Sequence, residues 1–250
     1  MKVRDKKRTL VTIIGTWKQS HSKNWIECES TWVPLLRDLG YDVWVIVSNT
    51  HMDKEFERRG NFFFVNCPDT LNEIYYKSHY YISKWFINQV EYDYRFHLDS
   101  DSFIHPSKFD KFITEYTLEN PKEYVGCVQP YPGLNPNELI TKEFNNYSLY
   151  GHGGSGILLS KRVHTYLYDD FERSEHKNMG ACDRIAGELL NRNGVKLWHD
   201  SRLLFESPYK RILHDPHNIG IPFIGNKDSF LVSQHYCNGY MQEILNKLDL

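Results

Sequence analysis

The segment Thr9 to Thr16, TLVTIIGT, constrains the fold more than any other, because it is β-branched or apolar at nearly every position. A strand that is apolar on both faces must be covered on both faces, as is typical of the first strand of a parallel or mixed sheet. Apolar residues from Ile26 to Leu39 approximate helical spacing before a stop at Gly40, although Pro34 disfavours one straight helix. This opening predicts an α/β fold.

Strands and helices continue to alternate along the chain. Strands are predicted at 41–47, 62–65, 94–98, 124–129 and within 196–205. Helices are predicted at 71–90, from an N-cap at Ser107 to 119, at 181–193 and from 240, and an amphipathic segment after ILLSKR extends to Phe171. The Pro- and Asn-rich stretch 130–146 predicts a loop of functional length. Because no repeat or linker-like shift in composition interrupts this order, the sequence predicts one domain.

Composition and charge exclude several classes of protein. The formal net charge is −2 with no basic stripe, which argues against a nucleic-acid binder. No apolar run approaches a membrane span and no signal-peptide pattern is present, so we expect a soluble protein. Five cysteines without CxxC spacing favour reduced thiols and a cytoplasmic location.

The sharpest local motif is FHLDSDSFI, in which Asp99 and Asp101 directly follow an apolar strand. On an extended segment this spacing places both carboxylates on one side, at the end of the strand where α/β sheets bind ligands. Two hard oxygen ligands there suit Mn²⁺ or Mg²⁺, which can hold a diphosphate. The alternative is a solvated turn with an Asx cap.

Three further features each have a structural alternative. The segment YGHGGSGILLSKR contains Gly153 and Gly154, which allow either close approach of a ligand or a tight turn. Asp183 stands at the start of a predicted helix, where an acidic residue often does no more than stabilise the N-terminus of the helix. His235 ends the strand-like run FLVSQH, where a histidine is more often a core residue than a ligand.

In their order along the chain, these motifs resemble the inverting β-1,3-glycosyltransferases of the fringe and core 1 galactosyltransferase group. The resemblance runs from Thr31-Trp32 to His235-Tyr236. LDSDSFI resembles that family's ADDDTYV, GGSGILLSK its GGAGYVLSK, CDRIAGELL its acidic EDLALG-type segment, and VSQHY its SFHY. Here Ser100 replaces a central aspartate, and Cys182 stands where a second acid is usual.

The resemblance implies a GT-A fold, a Rossmann-like mixed sheet flanked by helices, formed as a single domain by residues 1–250. Residues 9–128 would form the half that binds the nucleotide-sugar and metal, and 129–250 the half that binds the acceptor and carries the catalytic residue. The family's membrane anchor and much of its cysteine set are absent, so we expect a soluble version from a bacterial, viral or phage setting.

The resemblance also implies roles for individual residues. Asp99, Asp101 and His235 would bind Mn²⁺ or Mg²⁺, and Asp183 would be the general base. The nucleotide-sugar donor, a UDP-sugar, would contact a set of residues from both halves: Thr16, Lys77, Asp99, Asp101, Gly153 and Gly154.

Three functions stay open from the sequence. The first is transfer of a hexose or N-acetylhexosamine to a hydroxyl of a glycan, glycolipid or protein. The second is the same chemistry on modified DNA bases, as in phage enzymes. The third is sugar binding without catalysis.

Overall fold

The computed structural model describes residues 8–15, 22–70, 73–128, 143–144, 150–169, 182–204, 229, 231–235, 237 and 239–248. Thr16, most of the predicted 130–146 loop and Tyr236 lie outside them. The described residues build one large mixed sheet, a second small sheet and helices on both faces of the large one.

The large sheet has nine strands in the order β3-β4-β2-β1-β5-β9-β7-β10-β8. Their bounds are β1 Thr9–Ile14, β2 Asp42–Ser48, β3 Phe56–Arg59, β4 Phe62–Val65, β5 Tyr94–Asp99, β7 Tyr124–Gly126, β8 Glu143–Phe144, β9 Ile157–Ser160 and β10 Leu197–His199. Strands β4, β2, β1 and β5 are parallel, as are β7 and β10. Strand β9 runs antiparallel between β5 and β7.

Three two-residue strands form the small sheet: β6 Phe103–Ile104, β11 Leu203–Leu204 and β12 Ser233–Gln234, in the order β11-β12-β6. Strand β12 is antiparallel to β6, with Ser233 opposite Ile104 and Gln234 opposite Phe103. In an antiparallel pair, the residues after one strand lie beside the residues before the other. This register therefore brings residue 235 next to residues 101 and 102.

The helices are α1 Ser22–Ser30, α2 Trp32–Asp38, α3 Tyr81–Phe86, α4 Pro106–Thr114, α5 Lys161–Asp169, α6 Cys182–Arg192 and α7 Met241–Leu248. One turn of π-helix, Tyr76–Tyr80, precedes α3, and another, Glu115–Glu119, follows α4. Phe96 of β5 packs against Phe109 and Phe112 of α4. The opposite face of β5 lies toward α3 and the π-helical turn before it. Among the described residues, no helix is both long enough and apolar enough to cross a bilayer.

The structure confirms most of the predicted elements, but two of the predicted helices are each divided into two pieces. The helix predicted from Ile26 is broken at Thr31, whose φ of −123° and ψ of −95° are not helical, and Pro34 lies in the first turn of the second piece. A proline is tolerated there because the first N–H groups of a helix need no partner within the helix. The predicted single helix at 71–90 is instead a π-helical turn followed by a short α-helix that ends at Phe86.

Two further corrections concern the ends and edges of elements. Ser107 is not the N-cap of α4, because the helix begins at Pro106 with His105 in the cap position. Proline favours the first helical position, since its fixed φ is already helical. Strand β3, with the sequence FERR, was not predicted from the sequence. It lies at the edge of the sheet, is half-buried to exposed, and stands in a polar stretch that has no apolar pattern.

Gly156, which leads into β9, occupies a position where the backbone conformation and the neighbouring ring both favour glycine. Its φ is +106°, and an added Cβ would lie 2.3 Å from the Phe96 ring. We expect Gly156→Ala to lower the free energy of unfolding by about 2–5 kcal/mol, because backbone strain of about 1–2 kcal/mol adds to an overpacking cost of about 1–3 kcal/mol. Equilibrium urea unfolding measures this loss.

Gly60→Ala is the matched control, since Gly60 also has a positive φ, +59°, but nothing within 4 Å of an added Cβ. We expect only the strain of about 1–2 kcal/mol. Equal losses in the two variants would contradict the proposed clash with Phe96.

Candidate functional site

Asp99, Asp101 and His235 form a cluster at the carboxyl end of β5. His235 Nε2 lies 2.9 Å from Asp101 Oδ1 and 3.7 Å from Asp99 Oδ2. One ligand atom from each residue lies within 4.8 Å of the other two. Asp101 Oδ1 is buried, and within the described parts of the chain its close contact with His235 Nε2 does not have the geometry of a hydrogen bond. Two carboxylates and an imidazole suit Mn²⁺ or a similar divalent cation, so the residues present fit the predicted metal.

The main chain places these three residues. Strand β5 ends at Asp99, and the turn that follows leads directly into β6. The Asp101 carbonyl accepts the Cys237 N–H at 2.6 Å, and the His235 N–H donates to the Leu204 carbonyl at 3.0 Å. Ser100, the middle residue of the motif, is only 8% exposed, and its carbonyl accepts from the Cys28 thiol. Two main-chain hydrogen bonds and one hydrogen bond from a thiol therefore hold the backbone of the cluster in place.

Gly154 supports the imidazole of His235. A Cβ at this glycine would lie 2.4–2.6 Å from three atoms of the His235 ring, so the ring packs directly on the backbone. The Gly154 carbonyl accepts from the Ser102 hydroxyl at 2.5 Å, and the Ser102 carbonyl accepts from the Trp32 indole N–H at 3.1 Å. The glycine segment is thus joined to the turn that carries the two carboxylates.

Asp183 lies in the first turn of α6 and contacts the same glycine segment. Its Oδ2 accepts the Gly153 N–H at 3.1 Å, and its Oδ1 accepts the Arg184 N–H at 3.0 Å. One carboxylate oxygen of Asp183 therefore joins the start of α6 to a residue 30 positions earlier in the chain. Burial raises its pKa, although these N–H groups and His235 oppose the shift.

The charged groups of the candidate site influence the pKa of Asp99. Burial raises the pKa of Asp99 to about 6, and the negative charges of Asp101 and Asp183 act in the same direction. His235 and Lys77 oppose this shift. Each additional nearby carboxylate disfavours the charged form of Asp99, so the pocket concentrates negative charge that a cation would balance.

Lys77, in the π-helical turn, lies close enough to influence Asp99. Its side chain is 4% exposed, and Nζ donates to Asp69 Oδ1 at 2.8 Å. Lys77 was predicted from the sequence to contact the donor, whereas its partner Asp69 was not predicted. A buried ammonium held by one carboxylate keeps two further N–H donors.

The structure brings together seven of the eight predicted site residues: Lys77, Asp99, Asp101, Gly153, Gly154, Asp183 and His235. Thr16, the eighth, lies outside the described residues, although Ile14 of β1 pairs with Asp99. Two neighbouring acids, Glu206 and Asp200, are the alternatives to Asp183 as general base, and Glu206 also lies outside the described residues. Asp200, the other alternative, is buried and bonded to Arg202 and Tyr116.

His152 was missed by sequence reasoning. Its ring centroid lies 5.2 Å from that of His235, and its Nδ1 accepts the Ser155 N–H at 3.3 Å. Burial and His235 lower its pKa to about 3, so it is a neutral ring at physiological pH. Its position directly before Gly153 and Gly154 is the sequence feature from which it could have been predicted.

Comparison with known proteins identifies the fold. No protein-family model matches the chain, and no curated protein sequence does. A glycosyltransferase involved in the glycosylation of the major capsid of the virus PBCV-1 aligns with a TM-score of 0.52 and 12% identity, over 96% of this chain and 98% of that one. An active-site mutant of LgtC aligns with a TM-score of 0.52 and 11% identity, over 96% and 95%.

The galactosyltransferase LgtC with donor and acceptor sugar analogues aligns at a TM-score of 0.49 and 11% identity, over 96% and 95%. This chain has a GT-A fold, as expected from the sequence. At these identities the likeness concerns the fold alone, and the fringe and core 1 type stays a prediction.

We expect Gly154→Ala to weaken Mn²⁺ binding at least about tenfold, because the new methyl group takes the space of the His235 ring. Gly153→Ala is the matched control: its Cβ would lie 3.5 Å from Asp183, an ordinary contact. Titration of free Mn²⁺ by electron paramagnetic resonance gives both affinities. Equal Mn²⁺ affinity in the two variants would argue against the Gly154–His235 contact as a support of the cation site.

Proposed function

We propose that this chain is a metal-dependent, inverting glycosyltransferase. It transfers a hexose or N-acetylhexosamine from a nucleotide-sugar, a UDP-sugar, to a hydroxyl of a glycan, glycolipid or protein. On this GT-A fold, one glycine segment contacts both the Asp99–Asp101–His235 cluster and Asp183. This observation carries the proposal.

On the donor side, Asp99, Asp101 and His235 would hold Mn²⁺ or Mg²⁺. A bound divalent cation supplies positive charge that offsets the charge developing on a leaving diphosphate. Lys77 adds a second positive charge near Asp99, within a buried site where charges act more strongly than in water. The backbone at Gly153 and Gly154, together with Thr16, would complete the contacts to the donor.

On the acceptor side, Asp183 would take the proton of the attacking hydroxyl. The acceptor oxygen forms a bond to the anomeric carbon, the bond from that carbon to the diphosphate oxygen breaks, and the proton moves to the Asp183 carboxylate. Attack from the face opposite the diphosphate inverts the anomeric configuration. The two N–H groups that bind Asp183 orient its carboxylate, and its raised pKa makes it a stronger base.

The first test is dependence on a metal. We expect release of UDP from a panel of UDP-galactose, UDP-glucose and UDP-N-acetylhexosamines to require Mn²⁺, to stop in excess EDTA and to return when Mn²⁺ is restored. Asp101→Asn should lower Mn²⁺ affinity and turnover together, because it removes a charged ligand. Asp53→Asn, at an exposed position, is the control. Undiminished turnover in EDTA would exclude the metal role, and no turnover with any donor would favour a sugar-binding protein.

The second test concerns Asp183. We expect Asp183→Asn to lower kcat by about 10² to 10⁴ while Mn²⁺ and UDP affinities change little, because the amide keeps the shape but cannot accept the proton. Glu188→Gln on the same helix, which removes a carboxylate paired with Arg192, should retain wild-type rates. A rate near wild type in Asp183→Asn would assign the proton to another acid.

A further inference from the structure

A second buried polar cluster lies on the same face of β5 as Asp99, but deeper in the molecule. Along β5, Arg95 and His97 alternate with the apolar Phe96 and Leu98. The Arg95 side chain is completely buried, and its Nη2 donates to the Ser78 carbonyl at 2.7 Å. Arg95 therefore points into the protein, under the π-helical turn.

Three completely buried histidines surround this guanidinium: His79, His97 and His164. Arg95 Nη2 lies 3.4 Å from His79 Nδ1, and the rings of His79 and His97 are 5.1 Å apart. The positive charge of Arg95 contributes to the lowered pKa of each of the three, together with the larger effect of burial. One charge and three imidazoles thus share a single interior region.

Five nitrogen atoms in this cluster are buried and form no hydrogen bond with protein groups in the described ranges: Arg95 Nε and Nη1, and Nε2 of His79, His97 and His164. Leaving one such group unsatisfied typically costs about 1–3 kcal/mol, and more for a charged group. So many orphaned atoms in one place indicate a ligand rather than a packing defect.

The charge of Arg95 also has no acidic partner among its contacts in the described structure. Burial lowers its pKa to about 9, so the guanidinium still carries its proton at neutral pH. Cys182 and Tyr75 are the other titratable groups that influence it. Burial raises the pKa of the Cys182 thiol well above its usual value, so Cys182 supplies no negative charge.

The contacts of Nδ1 bear on which ring nitrogen of each histidine carries the proton. His164 Nδ1 lies 2.7 Å from the Ser83 hydroxyl, and His97 Nδ1 lies 3.2 Å from the Thr12 hydroxyl. When a hydroxyl donates to Nδ1 of a neutral imidazole, the ring proton resides on Nε2. With the Ser83 hydroxyl as donor, Nε2 of His164 is an N–H donor, and Nε2 of His79 is one as well because its Nδ1 faces the Arg95 guanidinium, which can only donate. The Thr12 hydroxyl can also donate to the Phe96 carbonyl at 3.5 Å, so its contact leaves both tautomers open to His97. With the guanidinium N–H groups, the cluster has several donors and one positive charge.

We propose that this cluster binds a monovalent anion of halide size, with chloride as the physiological ligand. A halide accepts several N–H groups at once and needs no donor partner of its own. Its single charge balances that of one guanidinium, whereas water would satisfy the N–H groups but leave the buried charge uncompensated. The site is distinct from the Asp99–Asp101–His235 cluster and does not depend on the proposed transferase activity.

The test compares thermal unfolding in sodium chloride with unfolding in sodium gluconate at equal ionic strength, without a sugar donor. Above its dissociation constant, each tenfold rise in chloride should raise Tm by about 3–6 °C. Arg95→Met should abolish the difference between the two salts. Arg37→Met, which removes a guanidinium paired with Glu29 near the surface, should keep it.

A second measurement uses the wild-type protein alone, so that it does not depend on the folding of the Arg95 variant. Crystals soaked in bromide should give an anomalous peak within hydrogen-bonding distance of Arg95 Nε or Nη1. Equal Tm in chloride and gluconate, or an anomalous map without a peak at Arg95, would overturn the proposal. Bromide bound only at surface sites would identify the interior ligand as water.

Discussion

The antiparallel pairing of β6 with β12 is the constraint on which the site depends. Each strand has only two residues, yet their register places His235 beside Asp101. Hydrogen bonds between the main chains of residues 105 and 232, and of residues 237 and 101, close the pairing at both ends. Main-chain hydrogen bonds fix position more rigidly than side-chain contacts on a loop, so the imidazole is held before any ligand arrives.

The glycine segment between residues 153 and 156 connects this pairing to the rest of the sheet. Gly153 donates to Asp183, Gly154 supports His235, and Gly156 turns the chain into β9. Two adjacent glycines therefore contact a carboxylate from α6 on one side and an imidazole from the end of β12 on the other. A side chain at position 154 would separate groups that the proposed chemistry needs together.

The sequence predicts the features that have a strong local pattern. The apolar run of β1 and the acids at and just beyond the end of β5 identify an α/β sheet with a polar edge, and both predictions agree with the structure. The two-residue strand β6 has no periodicity to detect. Strands β11 and β12 lie within the predicted strand-like runs 196–205 and 230–235, but their pairing with each other and the pairing of β12 with β6 have no local pattern. The donor-rich interior around Arg95 was also missed, because an arginine within a strand resembles a surface residue until its neighbours are known.

The long separation between Asp101 and His235 along the chain has a consequence for biosynthesis. Every described strand of the large sheet precedes residue 200, whereas β12 and α7 follow it and emerge from the ribosome later. The sheet can therefore assemble while the nascent chain still lacks the His235 imidazole, and Glu27 of α1 receives the N–H groups of Gly239 and Met241 only after those residues emerge. The three-residue cluster is thereby completed after the strands of the scaffold around it have been synthesised.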